Sequence, residues 1–192
     1  MSHAALLDAR AWRLLLMADL ELAAEARAGG CPCGGRLYSA RYRRKPRSGL
    51  PVELRSEFGR RESLCCEKEG CRKRVTPPSL RFLGRRVYLA PLVVLVSAMT
   101  GGVTERRAAD MRALIGVSKR TLQRWRAWWL RSFPRTVFWK IARGLLALPV
   151  DEARLPKSLL GRFPNDTPAD AVIACLRFLA PLTTRGGYAM AV

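Results

Sequence analysis

Two short stretches, Cys31-Pro32-Cys33-Gly34-Gly35 and Cys65-Cys66-Glu67-Lys68-Glu69-Gly70-Cys71, hold five of the six cysteines in a chain of 192 residues. Clustered thiols serve as metal ligands in a reducing compartment and as disulfides in an oxidising one. The first thirty residues carry Asp8, Arg10, Arg13, Asp19, Glu21, Glu25 and Arg27 among their leucines, which breaks the apolar core that an export signal requires. The most apolar run, Tyr88 to Thr100, contains Pro91 and is shorter than the roughly 20 residues of a membrane-spanning helix. A cytoplasmic, nucleoid-associated protein of a bacterium is therefore expected, with its thiols reduced.

Under those conditions the cysteines predict zinc. Zinc takes four thiolates in a tetrahedron, and two thiolate pairs on tight turns, brought together by a short antiparallel sheet, supply them. The expected ligands are Cys31, Cys33, Cys66 and Cys71, with Cys65 pointing the other way along its strand into the core. The spacing is irregular, with one residue inside the first pair and four between Cys66 and Cys71, and it leaves Cys65 open as a replacement for Cys66. His3 is the only histidine, so the site is all-cysteine. Gly34, Gly35 and Gly70 would let backbone amides turn towards the sulfurs. Free buried cysteines are the plainer alternative. Cys175, between Val172, Ile173 and Leu176, reads as a core residue.

The cysteine region, with short runs at Leu37 to Tyr42 and Glu62 to Cys66 that suggest strands, is flanked by helical pattern on both sides. Upstream, Leu6, Leu7, Ala11, Leu14, Leu15, Ala18 and Leu22 recur at helical spacing until Gly29 and Gly30 end the run. Downstream, an apolar helix over Leu92 to Met99 leads through Gly101 and Gly102 to two charged helices. The predicted organisation is an N-terminal amphipathic helix over residues 1–30, a zinc ribbon with basic loops over 31–87, a helical domain with a helix-turn-helix over 88–133, and a C-terminal helical region over 134–192. In that last part Thr167, Pro168 and Asp170 mark a helix start. The fold class is mainly α with a small β zinc ribbon.

The helix-turn-helix is read from Ile115-Gly-Val-Ser-Lys-Arg-Thr-Leu-Gln-Arg-Trp-Arg126. Gly116 permits a positive φ, Val117 packs beneath the turn and Ser118 caps the next helix. Leu122, Trp125 and Trp129 recur at core spacing, which leaves Lys119, Arg120, Thr121, Gln123, Arg124 and Arg126 for the outer surface. A recognition helix enters the major groove N-terminal end first, so Lys119, Arg120, Thr121 and Gln123 are candidates for base edges, and Arg124 and Arg126 for phosphates. The preceding helix should run from Glu105 to Leu114.

Charge points to the same partner. The 35 lysines and arginines against 15 acidic residues give a formal net charge of +20, a field that attracts phosphate backbones and makes binding steeply salt-dependent. Arginine supplies 29 of the positive charges, and its planar fork suits phosphate or a guanine edge. Between the cysteine pairs, Arg41, Arg43, Arg44 and Lys45 read as a basic loop able to lie against phosphates, or simply as a solvated one.

The order of these parts resembles the front end of bacterial insertion-sequence transposases of the DDE class: a zinc ribbon closed by a C-terminal cysteine knuckle, a strand, an apolar helix and a helix-turn-helix. The matching pieces are Cys31 to Gly34, Cys66 to Val75 with Thr76, Arg85 to Ser97, and Thr104 to Arg131, about 100 of the 192 residues. The small residue usual four before the turn glycine is replaced by Arg112. The resemblance implies double-stranded DNA as partner and a recombinase or transposase as a possible protein partner. It does not extend to the catalytic domain. After Arg131 only Asp151, Glu152, Asp166 and Asp170 are acidic, whereas a two-metal site draws carboxylates from separate strands and a helix. With one histidine and no nucleophile-base set, the expectation is a non-enzymatic, DNA-binding accessory or regulatory protein of a mobile genetic element. A homodimeric transcription regulator and a non-specific nucleic-acid or protein-interaction zinc-ribbon module are the alternatives.

Overall fold

A computed structural model of the chain describes residues 9–44, 55–83, 102–163 and 166–184. These residues form a mainly helical protein with small antiparallel sheets. The expected apolar helix over Leu92 to Met99, the positions Leu6, Leu7, Lys45 and Gly101, and the piece Arg85 to Ser97 lie outside the described residues.

Helix α1 (Ala9–Ala28) is rich in leucine and alanine and turns Trp12, Leu15, Ala18, Asp19 and Ala23 inward. The expected stripe through Ala11 and Leu14 is corrected, since Leu14 is 50 % exposed and Trp12 is buried. The larger ring removes more apolar surface from water and so decides which way the helix faces. Trp12 meets Phe58 edge-on with ring centroids 5.9 Å apart. The helix ends as its glycines predicted, with Gly30 at φ 66° and its amide on the Arg27 carbonyl.

Two ladders follow. Strands β1 (Leu37–Ser39), β4 (Leu64–Cys66) and β5 (Arg74–Val75) make a three-stranded antiparallel sheet with β4 central. Strands β2 (Tyr42–Arg43) and β3 (Arg60–Arg61) make a separate pair, with the short helix α2 (Arg55–Phe58) just before β3. The run Leu37 to Tyr42 is thus divided between two ladders. The basic stretch from Arg41 to Arg44 contains a paired strand rather than being wholly a loop.

Beyond the sheet, residues 79–83 are buried and are held by one carboxylate. Asp19 of α1 accepts from the Ser79 hydroxyl at 2.5 Å, the Leu80 amide at 2.6 Å and Arg81 Nε at 2.8 Å. Arg81 also donates to the carbonyls of Phe58 and Arg60 and lies over the rings of Phe58 and Phe82. Arg61 is buried beside this network and donates to the carbonyls of Pro77 and Pro78. The Ser79 amide bonds the Thr183 hydroxyl at 2.8 Å, which ties in the C-terminal part of the chain.

Helix α3 (Glu105–Ile115) begins at an N-cap, Thr104, and ends at Gly116, whose φ of 67° a glycine adopts without strain. Ser118 caps α4 (Lys119–Ala127), accepting from the Thr121 amide. Glu105 and Lys119 form an ion pair between the starts of the two helices. Arg112 is exposed and its carbonyl accepts from the Gly116 amide at 2.9 Å, so its bulk lies outside the turn. The chain continues through a wider π turn (Trp128–Ser132) and a 3-10 turn (Phe133–Arg135) into α5 (Val137–Ala142), α6 (Lys157–Leu160) and α7 (Pro168–Leu179). Helix α7 starts at Thr167, as predicted, with the threonine hydroxyl oxygen accepting from the Asp170 amide.

One apolar cluster takes side chains from α1, from Phe58, Leu80, Phe82 and Leu83, and from the stretch between Ala108 and Leu182. Its centre is aromatic: Trp129, Phe133 and Trp139 follow one another at 4.9 and 4.8 Å between ring centroids. A smaller cluster of Cys31, Leu37, Leu64 and Cys66 lies under the cysteine knuckles.

Candidate functional site

The tight turns of the two cysteine stretches meet across β1 and β4. In the first, the Gly34 amide bonds the Cys31 carbonyl at 2.8 Å and the Cys31 amide bonds the Gly35 carbonyl at 3.1 Å. In the second, the Cys66 amide bonds the Lys73 carbonyl and the Cys71 amide the Lys68 carbonyl. Gly34 at φ 79° and Gly70 at φ 84° supply the left-handed residues that turns this tight demand. Antiparallel register places Leu37 opposite Cys66 and so draws the knuckles together.

The result is a compact tetrad. Cys31 and Cys71 sulfurs are 3.7 Å apart, Cys33 and Cys66 sulfurs are 3.5 Å apart, and all four ligand atoms lie within 4.8 Å of one another. A tetrahedral zinc with bonds of about 2.3 Å spaces its sulfurs by about 3.8 Å. The four cysteines therefore form a cluster that can hold a metal ion, and its dimensions and soft donors are compatible with zinc. The fit extends to the backbone: a Cβ on Gly35 would stand 2.6 Å from Cys66 Sγ and 3.4 Å from Cys33 Sγ.

The tetrad is electrostatically uneven. The Gly35 backbone N–H and the neighbouring thiols hold Cys33 down at about 6, whereas burial pushes Cys66 up to about 12. Cys33 is exposed and Cys66 buried, so burial disfavours the inner thiolate more than the outer one unless a cation compensates its charge. Burial likewise pushes Cys175 up to about 12, as befits a core residue inside α7.

Cys65 is not a core residue. Leu64 and Cys66 alternate inward on β4, which turns Cys65 to the outer, partly exposed face, its sulfur 3.7 Å from the carbonyls of Cys66 and Arg72. The period of the strand excluded it from the cluster, as expected. The opposite face is solvent rather than core, because the three-stranded sheet is covered on one side only.

On the outer face Tyr38, Cys65 and Arg74 are direct cross-strand neighbours. Glu67 braces this row, accepting from the Tyr38 hydroxyl at 2.7 Å and from the Arg36 amide at 2.9 Å. Those two hydrogen bonds lower the Glu67 carboxyl below its ordinary value, and the same contact raises the Tyr38 phenol.

Among the expected basic contacts, Arg120, Gln123, Arg124 and Arg126 are exposed on α4, and Lys119 is partly exposed and paired with Glu105. Thr121 is the correction: it is 7 % exposed, and its hydroxyl faces Ser118 Oγ at 3.2 Å and accepts from Arg124 at 3.1 Å. At the first turn of a helix one residue in the cap's reach turns inward with the apolar stripe, and Thr121 shares that side with Leu122 and Trp125. In the ribbon, Arg41 is bound to Glu62 at 2.9 Å and Arg44 donates to the Tyr42 hydroxyl while lying over its ring. Arg43 is exposed and stands directly opposite Arg60, a residue that no local motif singles out. Only the β2 and β3 pairing brings these two arginines together.

No helix among the described residues is long and apolar enough to cross a membrane. Comparison of the chain with protein-family models, with curated proteins and with solved structures finds no match.

Proposed function

We propose that the chain binds double-stranded DNA through α4, that a zinc ion held by Cys31, Cys33, Cys66 and Cys71 fixes the ribbon, and that its role is accessory or regulatory to a mobile genetic element. The observation that carries the DNA reading is the division of α4. Thr121, Leu122 and Trp125 are buried, while Arg120, Gln123, Arg124 and Arg126 are exposed on a helix whose start is fixed by a left-handed glycine, a serine cap and an ion pair. A short helix with a rigid entry and a basic outer face suits a major groove, where arginine and glutamine read guanine and adenine edges.

Two further features support a polyanionic partner. The net charge is +20, and Arg43 and Arg60 oppose each other across a ladder, an arrangement that costs stability unless an anion lies between or beside them. The zinc would offset half the charge of four converging thiolates and set the position of the sheet, with no part in chemistry. The connection to a mobile element rests on the order of ribbon and helices, which resembles the front end of insertion-sequence transposases.

The test is affinity for a selected target duplex and a random duplex at several salt concentrations. Replacing Arg120 and Gln123 by alanine removes discrimination between the two duplexes, since each good base contact contributes about 1 to 3 kcal/mol. Replacing Arg43 and Arg60 by alanine weakens both duplexes alike and flattens the salt dependence by nearly one unit of slope per phosphate contact. Equal losses on both duplexes from both double variants would overturn the reading of α4 as a recognition helix.

A further inference from the structure

The outer face of the cysteine ribbon is a second, chemically distinct surface. Tyr38, Cys65 and Arg74 form a row across β1, β4 and β5 by register. Arg36 precedes Tyr38 by two positions, and Arg72, at φ 42°, stands in the turn that leads into β5; both are exposed. Tyr38 is 54 % exposed, the one aromatic among the exposed large hydrophobic side chains of the described residues. Its ring is nonetheless fixed, because its hydroxyl is held by Glu67, whose other oxygen is held by the Arg36 backbone. A half-exposed aromatic ring tethered through its hydroxyl, with Arg36 beside it and Arg74 in the same cross-strand row, is neither a core feature nor an ordinary solvated face.

We infer that this face binds unpaired nucleotides, with a base stacked on Tyr38 and the adjoining phosphates on Arg36, Arg72 and Arg74. Every base offers a π face, so a fixed aromatic ring beside a basic track binds single strands with little sequence preference. The ring is braced before any ligand arrives, so little freedom is lost on binding. Duplex DNA does not satisfy the same surface, since its bases are already stacked. A disrupted or melted segment does. The inference rests on the proposed nucleic-acid reading but not on α4, and the two fail separately.

The experiment measures binding of the zinc-loaded full chain to fluorescein-labelled oligothymidylate of about 12 nucleotides, a length within the usual range for one single-strand site. An abasic strand of equal length and a random duplex serve as comparisons. Tyr38→Leu weakens binding to oligothymidylate about tenfold, as expected for one lost stacking contact. Tyr38→Phe loses less than Tyr38→Leu, because it keeps the stacking ring and gives up only the brace on the hydroxyl. Arg74→Ala weakens both single strands, and neither tyrosine variant changes affinity for the duplex or the abasic strand. Retained metal content in each variant shows that the ribbon is intact. Unchanged oligothymidylate binding by Tyr38→Leu overturns the inference, and so does equal wild-type affinity for the abasic strand. Duplex binding without any oligothymidylate binding sinks this inference alone; failure to bind either sinks the DNA reading with it.

Discussion

Asp19 in the middle of α1 and Arg81 beyond the last ribbon strand are both fully buried, with Arg81 Nε 2.8 Å from Asp19 Oδ2. The carboxylate is enclosed by Ser79, Leu80 and Arg81, and each terminal nitrogen of Arg81 also donates to a carbonyl, of Phe58 and of Arg60. Removing one partner leaves an uncompensated charge out of water. Asp19→Ala should therefore destabilise the protein by about 3 to 5 kcal/mol, read as a lowered midpoint in urea. A loss within the range of an ordinary surface substitution would show that the pair is dispensable.

The space at Gly35 gives a sharper prediction about the metal. Gly35→Ala puts a Cβ 2.6 Å from Cys66 Sγ, 3.1 Å from Lys68 Cβ and 3.4 Å from Cys33 Sγ, two of them candidate ligand atoms, whereas a Cβ on Gly144 meets nothing within 4 Å. Competition with a chromophoric chelator should show Gly35→Ala holding zinc at least about tenfold more weakly, in the range of losses from altered surroundings of a metal ligand. Gly144→Ala serves as the unaffected control. Equal zinc affinity in both variants would mean that the cradle has slack the distances do not show.

Ligand identity follows from strand alternation. Protein purified with zinc should contain about one equivalent, since the four thiolates make one tetrahedral site. Cys66→Ser should release it and Cys65→Ser should not, because Cys65 lies on the opposite face of β4. Metal analysis after dialysis separates the two, and an exchange of their behaviours would reassign the third ligand.

The contact between Tyr38 and Glu67 predicts a pH dependence at both ends. Glu67 has a lowered carboxyl, so its contribution is complete above the ordinary carboxylate range and is lost as pH falls through the lowered value. Tyr38 has a raised phenol, so its contribution is complete below the ordinary value of 10 and is lost as pH rises through the raised one. Glu67→Gln removes the charge that disfavours the phenolate. An ultraviolet titration, taken as the difference from Tyr38→Phe, should show Tyr38 ionising at lower pH in Glu67→Gln than in the wild type. No movement would show that the two side chains do not meet in solution.

Much of the local structure was legible in the sequence, because it depends on neighbours a few residues apart. Gly116, Ser118 and Thr167 announce their turns and caps through backbone freedom and side-chain oxygens, and each stands in that role. Leu122, Trp125 and Trp129 announce a buried stripe by spacing, and each is buried. The four cysteines announce a cluster by their chemistry, and it forms.

What the sequence could not determine were the relations made by distant residues. Asp19 looked like one more charge in an amphipathic helix until Ser79 and Arg81 enclosed it, across separations of 60 and 62 positions. Thr121 looked like part of an outward face until the cap at Ser118 and the inward stripe claimed it. Arg43 and Arg60 became neighbours only by the register of β2 and β3, and Tyr38 joined Arg74 only through the strand between them. Periodicity and capping are local physics and can be read along the chain. Pairing register and the burial of a charge are decided by which segments pack together, and only the tertiary structure supplies that.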